Sequence, residues 1–369
     1  MQVVLEGFEL RTARLPLATT FRSAHGTRQH RDVMIVRAMV RDGAPGWSEC
    51  VTESEPSYWP EYTDGARHVL QHHVIPRVLA GRSVDEVRGH QMAKAAVEMA
   101  ALDAGLRARG QSVAEFVGAT RSLVPTGIAL GISHTLDDLV DEAIWWCSRG
   151  HGALKLKVAP GHDLDAVREV RSAVGPRVEL LVDANGSYRS DQPDDLAALA
   201  RLADPSLGLL AIEQPFAPDD LAGHARLARQ MSVLVCLDES IGSLADVETA
   251  LAMRACGAIS LKAGRVGGLR ETRRIHQQCL DEGVPMRCGG MLETGLGRAV
   301  NLAVAALPGC TLPPDLGPSS RYFERDLTTP FEAEDGMMTV PSGAGLGVQP
   351  DEEVLDQVTT STTIVRATE

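Results

Sequence analysis

Three carboxylates each close a short apolar run: Asp183 in LLVDAN, Glu213 in LLAIEQP and Asp238 in VCLDES. A lysine pair, Lys155 and Lys157 in ALKLKV, comes before them, and Lys262 in AISLKAG comes after. Carboxylates brought together repel strongly unless a cation joins them. An oxygen-only donor set selects a hard ion, so Mg2+ is expected, with Mn2+ or another divalent ion able to substitute. Lysines are rarely buried, and an apolar strand has no structural need for one. Alternation along an extended strand puts Lys155 and Lys157 on one face. Each acid taken alone could instead cap a helix or pair with an arginine, and the lysines could simply neutralise the acids.

The chemistry suited to this set is removal of a proton from the carbon next to a carboxylate. The enediolate that results carries two negative charges, which a divalent cation on the substrate carboxylate stabilises. A lysine can act as the base if its pKa falls from ~10.4 toward ~7–8. Neighbouring lysines and the metal are expected to push it that way. Two lysines on opposite faces of one carbon, Lys157 and Lys262, would racemise it. With a leaving group on the next carbon, one lysine would suffice for β-elimination.

Supporting groups flank the set. Arg265, three residues after Lys262, could lower the lysine's pKa or hold an acid in place. Glu239 follows Asp238 directly, so on an extended strand it points the other way, with an ion pair to a lysine expected. Asn185 points the same way as Asp183. The run CGGMLETG at 288–295 lets backbone approach a ligand closely, so substrate binding is expected there. It contains no nucleotide-binding glycine pattern. Ser240 in DESIG lacks the nucleophile-elbow pattern, which argues against a serine hydrolase.

The elements that must carry these residues repeat. The apolar runs GIALGI, ALKLKV, ELLVDAN, GLLAIEQ, VLVCLDES, AISLKAG and VPMRCGG alternate with helical stretches, as buried parallel strands do. The strand-end residues at 157, 183, 213, 238, 262 and 289 stand 26, 30, 25, 24 and 27 residues apart. A ring brings all such ends to one mouth, whereas an open sheet lines them up. The expected fold is therefore α/β, a TIM-type (β/α) barrel over 123–318. Residues 1–122 read as an α+β domain, strands then helices, and 319–369 as a tail returning to it.

Composition limits the rest. The net charge of 36 − 49 = −13 disfavours nucleic acid and anionic membranes as partners. No apolar stretch approaches ~20 residues, and the N-terminus lacks a signal-peptide pattern. Seven scattered cysteines without a CxxC pair suggest reduced thiols in the cytoplasm. His72-His73 and Trp145-Trp146 suggest surface and packing roles respectively.

The order KxK, acid, acid, acid, lysine resembles the muconate lactonising subgroup of the enolase superfamily, whose barrel is a modified (β/α)7β form beneath a capping domain. FRSAHGT, GWSECV, KAGRVGG, CGGMLETGLGRA and LPGCTLPPDLGPSSRYFERDL further resemble the o-succinylbenzoate synthase and N-succinylamino acid racemase family. That resemblance implies Lys157 and Lys262 as the acid/base pair, and Asp183, Glu213 and Asp238 as magnesium ligands. It also implies a small-molecule carboxylate substrate, with racemisation of N-succinyl or other N-acyl amino acids first and dehydration to o-succinylbenzoate second. Dipeptide epimerisation and muconate cycloisomerisation trail behind. Phe21 to His25 would close over the substrate, Gly290, Met291 and Leu292 would line the acyl pocket, and assembly with copies of itself is expected. His25, Ala129, Ala263 and Ser320 depart from the family's usual residues, and His25, Ala129 and Ser320 are expected at the substrate pocket, with Ala129 binding substrate. A non-catalytic barrel kept for binding would be expected to lack one of the lysines or acids, and none is missing.

Overall fold

Phe8, Leu10, Met34, Val36 and Ala38 take every second position along two long segments, and all five are buried in one cluster, while the interleaved Val33 and Ile35 are buried on the other face. The segments form the antiparallel strands β1 (Leu5–Ser23) and β2 (Gly26–Val40), and β3 (Gly46–Cys50) adds to β2. The protein is seen here in a computed structural model describing residues 3–23 and 26–367, with the backbone alone at 19–23 and 26–28. The helix Gln91–Arg109 lies against β3 so closely that a Cβ on Gly46 would stand 2.0 Å from the Ala100 carbonyl oxygen. Only glycine permits that approach.

The barrel strands follow in chain order. After β4 (Leu123–Pro125) come β5 (Gly127–Leu130), β6 (Ala153–Lys157), β7 (Glu179–Asp183), β8 (Leu209–Glu213), β9 (Leu234–Leu237), β10 (Ala258–Leu261) and β11 (Met286–Cys288). β5 to β11 make one parallel sheet in sequence order. Thr135, Asp163, Asp220, Ser243 and Thr294 accept backbone N–H groups at the starts of following helices, which ends each loop promptly.

Residues 309–315 close the sheet. Met286 N donates to the Gly309 carbonyl at 2.9 Å and Asp315 N to the Cys288 carbonyl at 2.8 Å, while Asp315 also bridges to Gly127 of β5. This segment thus stands as the final β of the expected (β/α)7β form. Inside the ring, Leu181, Ala211, Cys236 and Ala258 form a fully buried apolar layer. Two residues further along the first two of those strands stand Asp183 and Glu213, on the same side by the period of two, and Asp238 directly follows the end of β9.

The tail runs back to the N-terminal sheet. β12 (Met337–Thr339) pairs with β4, and β13 (Thr359–Arg366) pairs with β1. Asp103 fastens this arrangement. Fully buried in the helix Gln91–Arg109, it accepts Trp47 N at 2.8 Å, Leu346 N at 2.7 Å and Arg107 Nε at 2.8 Å. Asp103→Ala leaves two buried backbone donors unpaired, so we expect a loss of about 3 kcal/mol, read as a lower denaturant midpoint. An unchanged midpoint would show that water or rearrangement replaces the carboxylate.

Candidate active site

The register of the sheet assembles the site. Lys157 of β6 lies opposite Asp183 of β7, and Asp183 lies opposite Glu213 of β8. Asp238 follows the last residue of β9 directly. All three acids are at most 1% exposed. Lys155 Nζ donates to Asp183 Oδ2 at 2.7 Å, Glu213 Oε1 at 3.0 Å and Asp315 Oδ2 at 2.6 Å. Lys157 Nζ donates to the same Asp183 oxygen at 2.7 Å and to Asn185 Oδ1 at 2.6 Å, so both lysines do share one face.

On the far side, Lys262 Nζ donates to Asp238 Oδ2 at 2.7 Å and to the Tyr58 hydroxyl at 2.8 Å. Arg265, fully buried, grips Asp238 through Oδ1 at 2.6 Å and its carbonyl at 2.6 Å. It also donates to Tyr58 and to the Ile241 carbonyl. A Cβ on Gly289 would stand 2.5 Å from Lys262 Cε, so the glycine at this strand end makes room for the lysine. The cleft over these groups encloses about 730 Å³ of empty space open to solvent. Lys155, Lys157, Asn185, Ala129, Gly290, Met291 and Leu292 line it, as does Tyr58, which bonds Lys262.

The electrostatics follow from burial and pairing. Burial pushes Glu213 up to about 7 although Arg287 and Lys155 oppose it, and the charges of Asp183 and Asp238 push the same way. For Asp183 burial acts upward, but Lys155 and Lys157 hold it well below the usual carboxylate range. Asp238 is likewise held low by Arg265 and Lys262 against its burial. Burial alone would lower Lys262, yet Asp238 beside it raises its pKa above that of an ordinary lysine. The expected fall toward neutrality is therefore not seen in this state, because the ammonium has a buried carboxylate partner. Arg265 opposes that rise, so it both holds the acid and disfavours the ammonium.

Residues 138–354 match the family described as enolase C-terminal domain-like, and residues 8–118 match the mandelate racemase / muconate lactonizing enzyme N-terminal domain. The chain belongs to the enolase superfamily. It is 45% identical to an N-succinylamino acid racemase of an Amycolatopsis species, covering 97% of this chain and 98% of that one. It is 37% identical to an o-succinylbenzoate synthase of Geobacillus stearothermophilus, covering 97% of each. The fold matches the crystal structure of an enolase superfamily member from Listeria innocua at TM-score 0.93, with 33% identity and 99% of each chain covered. The chain is thus an enolase-superfamily enzyme, of a group whose members generally depend on a divalent metal.

Against this superfamily frame, several expectations need correction. Glu239 does not point away from the mouth or pair with a lysine. β9 ends at Leu237, so the alternation argument no longer applies, and Glu239 Oε1 instead accepts Asn185 Nδ2 at 2.7 Å. Burial, then Asp238 and Asp183, push it up to about 7. Ser320 is not at the pocket; it is exposed and bonded to Glu332. Phe21 contributes only backbone to the description, in β1, so its side chain and His25 lie outside the described residues.

Two further charged residues belong to the site. Arg287 on β11 is 1% exposed and donates to Glu213 Oε2 at 2.5 Å and Asp315 Oδ1 at 2.7 Å. The rule that singled out Lys262, a charge inside an apolar strand, applies equally to Arg287 in VPMRCGG. Asp315 gave no such signal, because TLPPD reads as loop. Only the closing segment shows it to be another strand-end acid.

Proposed function

We propose that this enzyme removes the proton α to a carboxylate and racemises N-succinyl or other N-acyl amino acids, with Lys157 and Lys262 as the two acid/base groups. The observation that carries the proposal is their placement, from β6 and β10, on either side of the same three buried acids. Asn185, held by Glu239, fixes Lys157, and Arg265 with Tyr58 fixes Lys262.

Asp183, Glu213 and Asp238 suit a hard divalent cation. They are oxygen donors only, and such an ion would relieve their mutual repulsion, which adds to burial in raising Glu213. Among the described residues these acids do not converge on one point, since their oxygens face lysine and arginine nitrogens. Mg2+ is proposed there, with Mn2+ or another divalent ion able to substitute; when bound it supplies stabilisation of the enediolate charge.

Lys157 would take or return the proton at its Nζ on one face of the carbon, and Lys262 would do so on the other once it has released Asp238.

Dehydration to o-succinylbenzoate is the second reading, favoured by the similarity to several synthases. A panel of N-succinyl and N-acetyl amino acids, dipeptides and the synthase substrate, followed by α-deuterium exchange and by product, tests both. Racemised N-acyl amino acid with exchange is expected. Exchange with no panel member would overturn the proposal. The seven free thiols fit a reducing cytoplasm, and no described helix is long and apolar enough to cross a membrane. We also propose assembly with copies of this chain.

A further inference from the structure

Lys262 begins a turn that reaches the N-terminal region. It is the N-cap of the short helix Ala263–Val266, which runs through Gly267 and Gly268 into the helix Leu269–Asp281. Backbone bonds tie the two helices to the lysine. Val266 N donates to the Lys262 carbonyl at 3.1 Å, Gly268 N to the Ala263 carbonyl at 3.0 Å and Thr272 N to the Gly268 carbonyl at 3.0 Å. A shift of the second helix is therefore passed back to Lys262 and Arg265.

The first N–H groups of a helix need acceptors, and a side chain at the N-cap ordinarily supplies one. Here the N-cap is Gly268, which has no side chain, and its φ of 109° disfavours any residue that has one. The acceptor comes from the other domain. Glu98, on the helix Gln91–Arg109, accepts Leu269 N through Oε2 at 3.1 Å. A Cβ on Gly268 would stand 2.4 Å from that same oxygen, so the glycine also opens the path for the carboxylate. The other oxygen, Oε1, is buried and makes no hydrogen bond, with Arg270 Nε 3.8 Å from it. Burial pushes the Glu98 carboxyl up, and the Leu269 N–H and the Arg270 charge oppose the rise. An acceptor left unused away from water is costly. What favours the carboxylate here is the helix terminus that it faces, with its free N–H groups and partial positive charge.

We propose that Glu98 is a positioning residue for Lys262: it caps the helix Leu269–Asp281 from the N-terminal domain and so fixes the turn that aims the lysine amine. Lys157 ends β6 and does not share this turn. The inference rests on the proposed assignment of one lysine to each face of the α-carbon.

The test follows α-deuterium exchange of the two enantiomers of an N-succinyl amino acid separately, after Lys157→Ala and Lys262→Ala have assigned each enantiomer to its lysine. Glu98→Met should lower kcat for the Lys262-dependent enantiomer by roughly 10–100-fold, the cost of misplacing a reacting group by about 1 Å. Its KM, and exchange of the Lys157-dependent enantiomer, should stay nearly unchanged. Glu98→Gln keeps an oxygen for Leu269 N and should restore most of the rate. Arg270→Ala removes the ion pair but leaves the cap, and should exchange both enantiomers as the wild type does. Glu98→Ala serves if Glu98→Met does not fold. Equal slowing of both enantiomers, or wild-type exchange of both, in the Met or Ala variant overturns the inference and leaves the proton chemistry standing. A Gln variant as slow as the Met variant, or the same one-sided loss in Arg270→Ala, removes the cap as the cause and also overturns it. Exchange of neither enantiomer by the wild type overturns the functional reading and this inference together.

Discussion

Replacing Lys262 with alanine is expected to lower racemisation by roughly 10²–10⁴-fold, the usual contribution of a positioned acid or base. The same holds for Lys157→Ala. Racemisation needs both lysines, but exchange does not. Each single variant should still exchange solvent deuterium into the enantiomer whose α-proton faces the surviving lysine, and should lose exchange with the other. The asymmetry follows from the placement of the two amines, Lys157 on Asp183 and Lys262 on Asp238. The double variant should exchange neither enantiomer. Wild-type exchange in the double variant would place the proton transfer elsewhere. A merely structural role predicts equal loss for both enantiomers, so the comparison separates the two.

The second large effect concerns Asp238. It is 1% exposed and is the shared partner of Lys262 and Arg265, both buried. Asp238→Asn removes the charge and leaves two cations facing a neutral amide. Breaking a buried pair in this way costs on the order of 3–5 kcal/mol, so a clear drop in the unfolding midpoint is expected with chelator present. Activity should fall with it, because the variant loses one of three proposed metal donors. In the wild type, chelation alone should abolish α-exchange, and added Mg2+ or Mn2+ should restore it. Midpoint and exchange can be scored separately. An Asp238→Asn variant as stable as wild type would show that the cations find other partners. Full exchange in chelated wild type would remove the metal from the reaction.

The difference between what could and could not be read from the chain is clearest at individual residues. Asp183, Glu213 and Lys262 announced themselves because each breaks an apolar run at its end, and a charge there is expensive unless it has work or a partner. Arg287 carries the same signal. Alternation misplaces Glu239 because β9 ends at Leu237, where the backbone turns. Like charges and a metal would lower the Lys262 pKa, whereas Asp238, standing against the amine, raises it.

By itself, then, the sequence determined the parallel strand-and-helix repeat, the order of lysines and acids along it, and the face that Lys155 and Lys157 share. These are local properties: period two along a strand, apolar runs of strand length, and a steady spacing of the strand ends. The tertiary structure alone decided that 309–315 closes the ring, so that Asp315 joins Lys155 and Arg287. It also decided that Tyr58, from the N-terminal region, lies on Lys262, and that Glu98 caps the helix beyond it. Each of these contacts joins residues far apart in the chain. Pairing across such distances depends on how the sheet curls and which backbone fills the gap between β11 and β5, and no local pattern of residues encodes that.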